Sequence, residues 1–249
     1  MQGTLCYLSL HDNRHLRYLR GHSKPVCAMD ISPIDDAVIS GSLDNTVRLW
    51  DLRVSECVAK IRYAPTPRPC VAFDPMGVLF ALTAPPNVLK LFNLKQLGLG
   101  PFDEFCIPIL ESLEPNSSIE PAQLYATSCT FDPSGCFVMI MYNDGSAYVL
   151  DAFTGETRHI FRTSRDRRIL DARLGGCFTP DSQYVLMGTE TGSIYCWKME
   201  TGELVHKWTN IHPGPICCLE FNPAYFNMVA SCNHLSMWLS DENKLRDEA

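Results

Sequence analysis

Positively charged side chains are missing from a long central stretch of this chain: no lysine or arginine occurs between Gln96 and Thr157, while nine acidic residues fall between Asp103 and Glu156. The net charge of −7 argues against wholesale nucleic-acid binding, which needs a concentrated positive surface. No apolar run approaches the ~18 residues that would cross a bilayer, so no membrane partner is expected. Met1-Gln-Gly-Thr4 has no basic segment leading into an apolar one, so no signal peptide is read there. None of the twelve cysteines forms a Cys-x-x-Cys pair, and they are expected to be small apolar core residues rather than disulfides or metal ligands. There is no Gly-x-Ser-x-Gly elbow and no Gly-x-x-x-x-Gly-Lys phosphate loop. His11 and His15 have the i, i+4 spacing of a metal pair, but that spacing converges on one ion only on a helix. No catalytic residue, metal site or cofactor is therefore assigned.

What is present is a repeat. An apolar-x-Pro phrase occurs at Ile31-Ser32-Pro33, Phe73-Asp74-Pro75, Phe131-Asp132-Pro133, Phe178-Thr179-Pro180 and Phe221-Asn222-Pro223. A second marker follows each: Trp50-Asp51, Phe92-Asn93, Leu150-Asp151 and Trp197-Lys198 lie seventeen residues after their prolines, and Trp238-Leu239 fifteen after its own. The copies are spaced by 42, 58, 47 and 43 residues, as expected of one structural unit with loops of variable length.

Inside each unit the period is that of strands. Positions two and four before the proline are apolar or small (Ile31 and Met29, Phe73 and Val71, Phe131 and Cys129, Phe178 and Gly176, Phe221 and Leu219), which predicts one buried face. A nearly unbroken run such as Phe137-Val-Met-Ile-Met141 suits a central strand covered on both sides. The third strand carries an apolar pair three and one residues before the marker, as in Val47 and Leu49 or Ile194 and Cys196. Thr154-Gly155 and Thr201-Gly202 then turn into a fourth strand. Four antiparallel strands repeated every ~40–45 residues make an all-β chain, a β-propeller whose blades cannot bury their faces alone.

Gly21-His22 and Trp50-Asp51 are the punctuation of WD repeats. That pattern implies a structural tetrad of His22, Asp44, Trp50 and a second-strand serine, Ser40 or its neighbour Ser42. More specific are Tyr7-Leu-Ser-Leu-His-Asp-Asn13, Gly21-His-Ser23, Ile39-Ser-Gly-Ser-Leu-Asp44 and Thr46-Val-Arg-Leu-Trp-Asp-Leu-Arg53, with Asp151-Ala-Phe-Thr-Gly155 and Phe178-Thr-Pro-Asp-Ser-Gln183 further on. Through these runs the chain resembles the WD-repeat protein 82 family over nearly its whole length, most weakly from about residue 54 to 130. The resemblance implies a non-catalytic nuclear scaffold. Its implied partners are a COMPASS-type histone H3 methyltransferase complex, the PNUTS type-1 phosphatase complex and the phosphorylated tail of RNA polymerase II. The rival reading is a WD-repeat substrate receptor of a ubiquitin ligase.

Thr4–His11 aligns with Thr46–Arg53 at an offset of 42, so the chain is expected to open on the third strand of a blade. The expected layout is a partial blade at 1–20, blades at 21–62 and 63–97, an acidic insertion at 98–123, blades at 124–162 and 163–208, and a last blade at 209–249 without a fourth strand. An incomplete seven-bladed ring, which would take roughly 290 residues, is preferred over a smaller ring closed by Leu16–Leu19. Two segments are candidate partner contacts. One is the basic loop with Arg165, Arg167 and Arg168, whose guanidinium forks suit carboxylates or phosphoserine, against the alternative of a solvated turn. The other is the insertion, with Phe102 and Phe105, which could equally pack on the propeller.

Overall fold

The computed structural model describes residues 3–54, 56–85, 87–109, 123–163, 169–170, 173–225 and 227–239. Strands β1 (Thr4–Ser9) and β2 (Arg14–Arg20) pair to form the first sheet. The second sheet is β3 (Val26–Ile31), β4 (Ala37–Ser42), β5 (Thr46–Asp51) and β6 (Cys57–Arg62), and the third is β7 (Val71–Phe73), β8 (Leu79–Ala84), β9 (Val88–Asn93) and β10 (Asp103–Cys106). The fourth sheet is β11 (Ala126–Phe131), β12 (Phe137–Tyr142), β13 (Ser146–Asp151) and β14 (Thr157–Arg162). The fifth is β15 (Gly176–Phe178), β16 (Tyr184–Gly188), β17 (Ile194–Lys198) and β18 (Leu204–Trp208), and the sixth is β19 (Cys218–Phe221), β20 (Asn227–Ser231) and β21 (Leu235–Leu239). Every sheet is an antiparallel meander of sequential strands, the blade architecture of a WD-repeat propeller.

Apolar clusters fill the five junctions between successive sheets. Leu5 and Leu19 meet Val38 and Trp50, Ile39 and Val47 meet Val71 and Phe80, and Leu89 and Leu91 meet Val138 and Tyr148. Met139 and Val149 meet Phe178 and Trp197, and Ile194 and Cys196 meet Leu219 and Ala230. In the second to fifth sheets the apolar pair of the third strand faces the following sheet, and the marker residue faces the preceding one. Strand periodicity thus sorts the side chains of these sheets onto two faces, each turned toward a different neighbour. Hydrogen bonds pin two of the junctions: the Asp30 carboxylate accepts the Phe73 N–H at 2.7 Å, and the Gly175 N–H donates to the Ile216 carbonyl at 2.9 Å.

Two expectations are corrected. Met29 and Ile31 are exposed, because they face the first sheet, whose two strands offer no inner strand to cover them. The segment read as an insertion supplies β10, the fourth strand of the third sheet. A short 3-10 helix at Leu94–Leu99 lengthens the link from β9, and acidic residues obscure the alternation; Glu104 nevertheless faces its cross-strand partner Lys90, Nζ to Oε1 2.6 Å. The segment Leu16–Leu19, which the disfavoured alternative of a smaller ring would use as its closing strand, lies in β2 and pairs with β1, and among the described residues no strand pairs with the outer edge of β21.

The junctions set where substitutions hurt. Ile140 is fully buried between the third and fourth sheets, whereas Leu239 is exposed. Ile140→Ala is expected to lower stability by about 2–5 kcal/mol and Leu239→Ala by no more than about 0.5 kcal/mol, read from urea unfolding followed by tryptophan fluorescence. Equal losses at the two positions would contradict this packing.

Candidate functional site

The second sheet carries a directional chain of hydrogen bonds linking the loop before β3 to β4, β5 and the turn between them. Trp50 Nε1–H donates to Ser40 Oγ at 2.8 Å, leaving the Ser40 hydroxyl to donate to His22 Nε2, also at 2.8 Å. His22 Nδ1–H then points at Asp44 Oδ2, 2.9 Å away. The carboxylate is further held by the Ser23 N–H at 3.0 Å, the Thr46 N–H at 3.0 Å and the Thr46 hydroxyl at 2.6 Å. Each donor in this chain meets an acceptor only if the imidazole is neutral with its proton on Nδ1. Ser40 rather than Ser42 occupies the chain; the Ser42 hydroxyl instead donates to the Lys24 carbonyl at 3.0 Å. Arg48 lies beside the network, its guanidinium 5.8 Å from the Trp50 ring.

The electrostatics follow. Burial lowers the pKa of His22 from its ordinary 6.5, against the opposing pull of Asp44. For Asp44 burial acts upward, but the Thr46 hydroxyl, the Ser23 amide and His22 outweigh it and hold the carboxyl at about 2. Both shifts act in the same direction on stability. The unfolded chain takes up protons before the folded one, so stability is full above about pH 6.5 and falls as acid first protonates His22 and then, below about pH 4, Asp44.

A variant of this network stands in the sixth sheet, where the sequence places His212 in the loop position equivalent to His22 without indicating its partner. His212, in the loop position equivalent to His22, has Nε2 2.8 Å from Ser236 Oγ, and Trp238 Nε1–H donates to the same oxygen at 3.1 Å. Ala230 stands where the second-strand serine would be, so the hydroxyl comes from β21 instead, and Cys232 Sγ sits 3.3 Å from His212 Nδ1. The readable signal was a serine two residues before the marker tryptophan. Gly192, at φ +75°, has the His212 carbonyl where a side chain would stand and accepts the Ile211 and His212 N–H groups at 3.0 Å, fixing that loop.

The candidate partner contacts separate. Arg165, Arg167 and Arg168 lie outside the described residues. Phe102, immediately before β10, is 55% exposed. Phe105, by contrast, is 7% exposed within the junction between the third and fourth sheets and lies against Gly155. Its ring serves the core, because β10 turns alternate side chains inward, and it offers nothing to a partner. Ile107 and Ile109 are buried in the same cluster.

The cysteines with buried side chains are packing residues. Cys70 is pushed up to about 11 by burial, and burial also raises Cys129 and Cys196, so these thiols stay protonated. All twelve cysteines are free. Among the described residues no three His, Cys, Asp or Glu side chains come together as a metal site.

A model of the WD domain, G-beta repeat, matches residues 13–51, the span that holds the tetrad. WD repeat-containing protein 82 of Drosophila melanogaster is 34% identical over 236 residues, which is 95% of this chain and 70% of that protein. The chain belongs to the WD repeat-containing protein 82 family. Protein ANTHESIS POMOTING FACTOR 1 of Arabidopsis thaliana is likewise 34% identical, over 97% of this chain and 68% of its own length. COMPASS component SWD2 of Saccharomyces cerevisiae is 30% identical over 95% of this chain and 71% of that protein. The match with these members of the family runs through the stretch from residue 54 to 130, where the sequence runs are least distinctive.

In this chain the tetrad ties the loop before β3 to β4, β5 and the turn between them. Ser40→Ala leaves Trp50 Nε1–H and His22 Nε2 buried without partners and is expected to cost about 1–3 kcal/mol. Asp44→Asn should flatten the loss of stability between about pH 4 and pH 2 while leaving the His22 limb below pH 6.5. Chemical denaturation at a series of pH values checks both; an unchanged acid limb in Asp44→Asn would show that the carboxylate is not held as described.

Proposed function

We propose that the chain is a non-catalytic scaffold subunit of a nuclear histone H3 methyltransferase complex of the Set1/COMPASS type. The supporting observation is the similarity to the yeast COMPASS component, which extends over 95% of this chain. Junctions between sheets bury most of the large apolar side chains of the inner strands, while connecting loops are presented at the rims, where polypeptide partners can be held. A role in a type-1 phosphatase complex built on the PNUTS subunit, and contact with the phosphorylated tail of RNA polymerase II, extend the same reading on the family resemblance. In that extension Arg165, Arg167 and Arg168 supply the guanidinium groups for phosphoserine.

Affinity purification of the tagged chain from nuclear extract with mass spectrometry tests the main reading. Subunits of a SET-domain methyltransferase complex are expected. Cullin-adaptor subunits in their absence would replace the scaffold reading with that of a ubiquitin-ligase substrate receptor. The phosphoserine role has its own check: Arg165→Ala, Arg167→Ala and Arg168→Ala together should weaken binding to a phosphorylated polymerase-tail peptide and flatten its salt dependence, and unchanged affinity would remove that role.

A further inference from the structure

Two kinds of turn meet at one rim of the stacked sheets, those joining first to second strands and those joining third to fourth strands. In the second to fourth sheets they carry Ile34, Met76, Val78, Leu99, Phe102 and Phe153, all exposed, from 41% for Val78 to 82% for Leu99. The fold does not demand apolar residues there, since the fifth sheet builds the same turns with Asp181, Ser182 and Gln183 and with Glu200 and Thr201. Nor are the six scattered. The Ile34 side chain fills the space where a Gly77 side chain would stand, which sets it beside Met76 and Val78 of the next sheet. The Leu94 N–H donates to the Val78 carbonyl at 3.1 Å, so the 3-10 helix that ends on Leu99 starts from the same turn. Phe105, just beyond Phe102, lies against Gly155 and so joins this segment to the turn that bears Phe153. The turns are also fixed in advance. The Asp74 carboxylate accepts the Met76 N–H at 3.2 Å and the Val78 N–H at 2.8 Å, the Asp151 carboxylate accepts the Phe153 N–H at 2.9 Å, and the Phe102 N–H donates to the Leu91 carbonyl at 2.9 Å.

Acid borders this apolar row. Asp35, Asp36, Glu56 and Glu156 are exposed in the same turns, and the half-buried Asp103 follows Phe102. The cations of these turns are Arg53 and Lys95, and Arg53 is engaged by Asp51, Nη2 to Oδ2 2.7 Å. Isolated apolar residues are ordinary on a surface, whereas a contiguous row with a polar border marks a contact. We propose that this rim of the second to fourth sheets docks a partner polypeptide segment whose large apolar side chains are flanked by lysine or arginine. The apolar side chains of the segment cover Met76, Leu99, Phe102 and Phe153, where methionine and aromatic rings give adaptable contact. Its cationic groups pair with Asp35, Asp36, Asp103 and Glu156. Turns already held by hydrogen bonds lose little freedom on contact, which favours binding. The same carboxylates repel nucleic acid and anionic lipid, so a basic polypeptide is the occupant that fits. The proposal rests on the scaffold reading and adds to it the face that is used and the chemistry of the segment held.

The probe is a capped peptide, Lys-Leu-Phe-Lys-Lys-Leu-Phe-Lys, and its control carries glutamate in place of each lysine. Fluorescence anisotropy with the full chain is expected to show saturable binding of the probe and at least about tenfold weaker binding of the control. Hydrogen exchange should slow in the turns 74–78, 94–102 and 152–156 when the probe is bound. Met76→Ser and Phe153→Ser together, both at exposed positions, should weaken binding about fivefold or more with an unchanged thermal melt. Asp35→Asn with Asp36→Asn should reduce the salt dependence of binding. Equal binding of the glutamate peptide overturns the proposal, as does unchanged affinity in the Met76 and Phe153 double variant. Protection of these turns before any peptide is added also overturns it, because the rim would then belong to the chain itself or to a second copy. None of these outcomes alters which subunits copurify with the chain, so failure here is distinguishable from failure of the scaffold reading.

Discussion

Apolar contact between neighbouring sheets is the interaction on which the rest of this structure depends. A single four-stranded sheet has two faces and no interior of its own. Here each face is buried by a different neighbour: Val38 and Trp50 lie against the first sheet, while Ile39 and Val47 lie against the third. Secondary structure alone does not account for stability, since the hydrogen-bonded ladders of each sheet stay in register only while both faces are covered. The polar tetrad of His22, Ser40, Asp44 and Trp50 is subordinate to that packing. It ties a loop and a turn to strands the apolar junctions already hold, and because every buried donor in it has an acceptor it selects one arrangement of them.

Much of this was legible in the residues. A proline and a marker held seventeen residues apart gave the repeat, because a strand, a turn and a strand occupy a nearly constant length while loops do not. Alternation then assigned faces, and Gly21-His22 with Trp50-Asp51 located the tetrad; Ser40 and Ser42 were equivalent on sequence and only geometry separates them. The sixth-sheet network was harder to see, since Ser236 replaces a hydroxyl from another strand while serving the same imidazole and indole. Such a substitution conserves an atom's place and not a sequence position.

The errors have physical origins too. Burial of Met29 and Ile31 was inferred from alternation, which tells which side chains share a face but not whether a neighbour covers that face. Strand β10 was hidden because Asp103 and Glu104 read as solvated loop; their pairing with β9 depends on tertiary context, which outweighs the low strand propensity of acidic residues. Phe105, in the same segment, looked like a contact residue because the strand that turns it inward was not recognised.

If the sheets stand by leaning on one another, loosening one junction must be felt on both of its sides. Hydrogen exchange with mass spectrometry on Val138→Ala, compared with the unmodified chain, measures this most directly, since Val138 is fully buried between the third and fourth sheets. Faster exchange in β8 and β9 as well as in β12 and β13, with β20 and β21 less affected, is the result expected from mutual support. Faster exchange confined to the fourth sheet, with β8 and β9 unchanged, would mean that each sheet is stable alone and would contradict the account.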